Sequence, residues 1–164
     1  MKLLIGYGNT LRQDDGAGWL IASQLAPDYA DSNVMVQAAH QLMPEYAALA
    51  AQAEQVIFVD ASATGPAGQV LIRHVEPASN LCDTHTLQPS DILYLARTLY
   101  GHTPPALLVT IAGAEFELSD QLSPAVTTAM PAAIIQIKNL LATKQHQHAS
   151  KAAVSGSKLV TNDN

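Results

Sequence analysis

Short runs of consecutive apolar residues alternate along this chain with stretches in which apolar residues recur every three or four positions, the signatures of buried strands and amphipathic helices. Residues 2–5 read as a strand that meets glycine at once, and residues 16–26, with Trp19, Leu20 and Leu25, read as a helix. Residues 33–38 follow as a strand in which Val34 and Val36 alternate with other residues, and Pro44 opens a helix that runs through Ala53. Gln55 then leads into Val56-Ile57-Phe58-Val59 and ends on Asp60, the pattern of a central strand buried on both faces.

Residues 62–68 carry turn chemistry around Gly65-Pro66 and are too few for a helical crossover. The strand predicted over 69–75 should therefore run antiparallel to its predecessor. Pro89–Tyr100 has helical spacing in Ile92, Leu93, Ala96 and Leu99, with Ser90 or Asp91 in its first turn and Gly101 as its stop. Residues 106–112 form the last strand, and 123–142 a final helix with a kink expected at Pro131. This order predicts an α/β fold, a three-layer αβα sandwich on a mostly parallel five-stranded sheet with one antiparallel strand. Residues 1–143 make one domain, and the polar segment 144–164 reads as a disordered tail.

Composition narrows the partners. With 48% hydrophobic and only 13% charged residues, the 164-residue chain suits one globular domain, and its net charge of −6 offers no basic footprint for nucleic acid or an anionic membrane. Cys82, the one cysteine, forms no intramolecular disulfide and belongs to no Cys-x-x-Cys pair. The apolar run at the N-terminus is too short for a signal peptide or a membrane span, so a cytoplasmic setting is expected.

The segment from Gly6 to Gly18 joins a glycine-rich turn to the adjacent acids Asp14 and Asp15 directly after a strand. Gly6-x-Gly8 begins like a dinucleotide fingerprint, but its third glycine falls on Leu11 and the ribose-binding acid is replaced by Ala38-Ala39-His40. No P-loop and no Gly-x-Ser-x-Gly elbow is present, so a nucleotide is not expected and a serine nucleophile has no seat. Cys82 lies three residues before His85 and is either a thiol nucleophile or a small buried hydrophobe.

What remains is Asp15 after the first strand, Asp60 closing the third, and His85 in the loop before a helix. Parallel topology brings all three to one sheet edge, and two carboxylates with an imidazole suit a borderline divalent ion. Each also has an ordinary reading: an acid at the helix start caps it, Asp60 caps the turn after it, and His85 is an exposed loop histidine. Asn9 either stabilises the turn with its side-chain amide or touches substrate, with Gly8 and Asp14 beside it in the same turn. His40, His74 and His102 read as ordinary loop or strand-end histidines.

The pattern Gly-x-Gly-Asn-x-Leu-x-x-Asp-Asp-x-x-Gly over Gly6 to Gly18 resembles the hydrogenase maturation endopeptidases, which process the large subunit of nickel–iron hydrogenases. Gln41-Leu42-Met43-Pro44-Glu45, Phe58-Val59-Asp60-Ala61, Thr84-His85-Thr86-Leu87 and the stretch from Gly113 to Leu122-Ser123-Pro124 are similar to that family as well. The resemblance implies an endopeptidase that removes a C-terminal peptide from the nickel-loaded precursor of a NiFe-hydrogenase large subunit. It implies Asp15, Asp60 and His85 as the residues that meet the nickel, which the substrate supplies, and as the catalytic set. The family often has Glu where this chain has Asp15, so Asp14 is a rival for the first place. The alternative function is a non-catalytic assembly factor that docks on the precursor's metal centre.

Overall fold

The computed structural model describes residues 1–81 and 86–143. Five strands build its sheet: β1 (Lys2–Tyr7), β2 (Val34–Ala39), β3 (Gln55–Ser62), β4 (Val70–Val75) and β5 (Ala106–Ala112). Their spatial order is β2-β1-β3-β5-β4. All pairs are parallel except β4 with β5. The reversed direction expected for β4 is observed, but β5 is inserted between it and β3. The short turn therefore crosses a gap of one strand instead of closing a hairpin.

Four helices cover the sheet: α1 (Ala17–Leu25), α2 (Tyr46–Gln52), α3 (Pro89–Tyr100) and α4 (Pro124–Ala142). The two-residue period of the strands decides which side chains meet which layer. Leu3, Ile5 and Tyr7 join Val56, Phe58 and Leu108 in a core shared with α2 and α3. Leu4, Ile57, Val59, Val109 and Ile111 form the opposite core with α1 and α4. The three-layer αβα sandwich is thus the observed architecture. By length and composition α4 is apolar enough to cross a membrane, yet its stripe of Val126, Ala133, Ile137 and Leu141 is buried in the second core.

Several boundaries differ from the sequence expectation. β1 continues two residues past Ile5, because Gly6 acts here as a strand residue paired with Ala38 and Val59. A Cβ on Gly6 would lie 2.0 Å from the Gly18 carbonyl oxygen, and one on Gly18 would lie 2.3 Å from that of Val59. The two glycines let α1 sit directly on the ends of β1 and β3. A short 3-10 helix, Gln13–Gly16, precedes α1, and neither Asp14 nor Asp15 caps it through its side chain. α2 begins at Tyr46 rather than at Pro44. α4 runs unbroken through Pro131. The expectations for Cys82, for His85 and for the tail 144–164 lie outside the described residues.

Candidate functional site

The chain moves from β1 outward to β2 and then returns to the other side of β1 to lay down β3, so the carboxyl ends of β1 and β3 form a topological switch point. In open α/β sheets such a crevice holds ligands, because the loops leave it in opposite directions. A cleft of about 630 Å³ lies there, and Tyr7, Gly8, Asp15, His40, Asp60 and Gln88 are among the residues that line it. A smaller hollow of about 350 Å³ at the other end of the strands, beside Tyr29 and Val34, brings no acid or imidazole together.

The turn after β1 is built by backbone geometry. Gly8 has φ 137, and a Cβ there would lie 1.8 Å from the Asp15 carbonyl oxygen. Only glycine fits a turn folded this tightly onto the 3-10 helix. The Gly8 N–H donates to Ala39 O at 3.1 Å, which ties the turn to the end of β2. Asn9 Oδ1 accepts from Leu11 N at 2.9 Å, the side-chain turn anticipated for it, while the Asn9 N–H donates to Asp15 Oδ2 at 2.9 Å. Asp15 is thereby aimed into the cleft, half-buried and held by one backbone donor.

Its neighbour Asp14 has the opposite environment. It is 0% exposed and does not line the cleft. Its Oδ2 accepts from Ala114 N at 2.7 Å and Glu115 N at 3.0 Å, and its Oδ1 accepts from Ser123 N at 2.7 Å. Burial disfavours the charge, but these hydrogen bonds outweigh it and hold the carboxyl below its ordinary pKa. Asp14 thus pins the β5–α4 loop to the β1–α1 turn, and its carboxylate is committed to backbone. The Gln13 side chain, from a residue at φ 46, adds bonds to Glu115 and Glu117 N across the same seam.

Asp60 ends the buried run of β3 on the α2 and α3 side of the sheet. Gly6 pairs with Val59, so Tyr7 and Asp60 stand next to each other on the same face. The Asp60 carboxyl is pushed up to about 6, first by burial and further by the charge of Asp15, against the opposing pull of Tyr7 and of the Ala61 N–H that donates to Oδ1 at 2.8 Å. A carboxyl poised near neutrality in a cleft can take a proton and return it at physiological pH. The Tyr7 phenol is held strongly neutral, by burial first and by the Asp60 charge second.

The structure therefore brings Asp15 and Asp60 together with Gly8 and Asn9, while Asp14 stands behind them. His85 lies outside the described residues, although Thr86, which follows it, lines the cleft. Sequence reasoning misses Tyr7, because the apolar run ends at Ile5; His40 does stand at a strand end, directly after β2, and that end opens on the cleft. The alternation Leu3-Ile5-Tyr7 set against Val56-Phe58-Asp60 was the signal that places Tyr7 beside the acid. Among the described residues, no group of three or more His, Cys, Asp and Glu side chains is gathered closely enough to hold a metal ion.

The chain is thus an α/β protein of the three-layer αβα class, with an acid pair at the switch point where open sheets of this kind bind ligands. No family model matches this sequence, and no curated protein matches it. Solved structures do. The hydrogenase maturating endopeptidase HybD from Escherichia coli is similar at 23% identity and a TM-score of 0.66, covering 85% of this chain and 91% of that one. The [NiFe] hydrogenase maturation protease HycI from Thermococcus kodakarensis is similar at 21% identity and a TM-score of 0.68, covering 85% and 91%. A hydrogenase 2 maturation peptidase from a Thaumarchaeota archaeon is similar at 22% identity and a TM-score of 0.65, covering 85% and 97%. At these identities the likeness is one of fold.

Proposed function

We propose that this chain is an endopeptidase that removes a C-terminal peptide from the nickel-loaded precursor of a NiFe-hydrogenase large subunit. The observation that carries the reading is the pair Asp15 and Asp60 in one cleft, at the switch point of a fold shared with hydrogenase maturation proteases. The nickel is part of the substrate. Two carboxylates are oxygen donors suited to a divalent ion, and a cleft offering them fits an ion that arrives with ligands of its own. His85 is the third residue of this proposal, on the strength of the sequence resemblance.

Such a cleft tests its substrate, since a precursor without nickel gives two facing carboxylates nothing to neutralise them. Asp60 then serves as the base. In the free cleft its pKa of about 6 leaves it roughly nine-tenths ionised at neutral pH, so it meets the substrate as a carboxylate able to accept a proton from the attacking water. The water oxygen bonds to the scissile carbonyl carbon, the C–N bond breaks, and the proton passes from Asp60 to the leaving amine. The products are a new carboxylate and the released peptide.

Incubating the purified chain with nickel-loaded precursor should shorten the precursor at its C-terminus, while nickel-free precursor stays intact. Cleavage of both would remove the recognition role of nickel. Asp60→Asn should abolish processing while leaving precursor binding measurable. Undiminished processing by that variant would refute Asp60 as the base, whereas a purified wild type that binds nickel-loaded precursor without shortening it would refute the peptidase assignment and favour a docking factor.

A further inference from the structure

The cleft contains one buried polar group that the proposed chemistry does not use. Tyr7 is 9% exposed, and its Oη has no solvent contact and no aligned hydrogen-bond partner. A buried hydroxyl without a partner is costly, so a native protein that keeps one has a use for it. Phenylalanine would fill the same space without that cost.

The position says what the use is. Tyr7 is the last residue of β1 on the α2 and α3 face, and Asp60 is its lateral neighbour on β3, one step beyond the Gly6–Val59 pair. Both line the cleft. The Ala61 N–H engages Asp60 Oδ1, and that is the only aligned hydrogen bond to this carboxylate among the described residues. The Tyr7 phenol lies close enough to Asp60 to lower its pKa as a hydrogen-bond donor, yet its hydroxyl is not aligned on the carboxylate. A single donor leaves a carboxylate able to swing about its side-chain torsion, whereas two donors fix its plane.

We propose that Tyr7 is the positioning residue of Asp60: its hydroxyl donates to the carboxylate when the cleft is engaged and fixes the direction in which Asp60 presents its other lone pairs. The inference rests on the reading of Asp60 as a cleft acid that meets a metal ion. Groups that orient a ligating carboxylate in this way commonly change metal affinity or activity 10–100-fold when removed. The phenol is suited to the task because burial keeps it neutral, so it remains a donor beside a negative charge.

The test uses the full chain as wild type, Tyr7→Phe, Asp60→Ala and the double variant. Calorimetric titration with cadmium probes the cleft, thermal unfolding reports the fold, and the ultraviolet resonance Raman difference between wild type and Tyr7→Phe isolates the Tyr7 phenol. Tyr7→Phe should bind cadmium about tenfold more weakly with an unchanged or higher melting temperature, and the donor signature of Tyr7 should strengthen with cadmium and vanish in Asp60→Ala. A tyrosine signature indifferent to Asp60→Ala, or a cadmium affinity that falls only in step with the melting temperature, would overturn the proposal. Absence of cadmium binding in the wild type would count against the metal reading of the cleft, and the Raman comparison would still decide Tyr7.

Discussion

Asp14 and Asp15 are adjacent in sequence, and exchanging Asp14 for Asn is the sharpest way to separate their roles. Two backbone N–H groups converge on Asp14 Oδ2 and a third on Oδ1. Asparagine offers one acceptor oxygen. In its better orientation it keeps the pair from Ala114 and Glu115 and turns its NH2 toward the Ser123 N–H, which loses a hydrogen bond to a charged acceptor worth about 1.5–3 kcal/mol. The two that remain are weakened by loss of the charge. A total near 3 kcal/mol follows, or about 6–12 °C in melting temperature for a domain of this size.

The pH dependence of that difference carries a definite sign. The native pKa of Asp14 is depressed because its hydrogen bonds outweigh its burial. A depressed carboxyl contributes stability above its unfolded value of about 3.9, and that contribution is lost as pH falls through the lower native value. Urea and thermal unfolding at a series of pH values should show a constant gap between wild type and Asp14→Asn at neutral pH and a closing gap in acid. A variant that melts with the wild type but no longer processes precursor would refute the assignment of Asp14 as a clamp and return it to the cleft as a rival to Asp15. A gap independent of pH would show that its charge is not what holds the loop.

Asp60→Asn should raise stability at pH 7 by up to about 3 kcal/mol while abolishing processing: a raised carboxyl pKa means the native state binds the extra proton between the unfolded value and about 6, so wild-type stability falls as pH rises through that window. Equal pH profiles of unfolding for the two proteins would contradict it. The kcat/KM of wild-type processing, which reports the free cleft, should fall about tenfold per pH unit below an apparent pKa near 6, measured with precursor that stays folded over the range; a flat kcat/KM profile down to pH 5 would exclude Asp60 as the base. Gly8→Ala should destabilise by about 3 kcal/mol or more, from a Cβ placed 1.8 Å from the Asp15 carbonyl oxygen at φ 137, read by denaturant unfolding. His40→Ala should leave the unfolding midpoint unchanged, because His40 is exposed, and weaken processing through KM rather than kcat.

The layers of this fold were legible because each element has a strong local cause. Val56 to Val59 has no polar interruption and so demands a strand covered on both faces, and Gly101 in the left-handed region at φ 72 ends α3 where the sequence places the stop. Asp60 was legible for the same reason, as the first polar residue after that run. What was not legible is what depends on distant backbone. Nothing local tells Asp14 from Asp15, since the choice is made by N–H groups about a hundred positions away, in the loop before α4. Nor does any local signal insert β5 between β3 and β4, because a seven-residue turn is compatible with a hairpin and with a skipped strand alike.

The division of labour between the two acids also explains why they stand side by side. Residues of a 3-10 helix point about 120° apart, so consecutive acids on Gln13–Gly16 face different surroundings: one turns into the β5–α4 loop and the other into the cleft. The inward acid is fully satisfied by backbone donors, and the outward acid keeps an oxygen available, with one donor to set its direction. Rigidity in the first therefore sets precision in the second. If that coupling holds, loosening the clamp should blur the cleft before it unfolds the domain, and Asp14→Asn at a temperature well below its melting point should process precursor more slowly with its far-ultraviolet spectrum intact. Wild-type processing rates at that temperature would show that the two acids work independently.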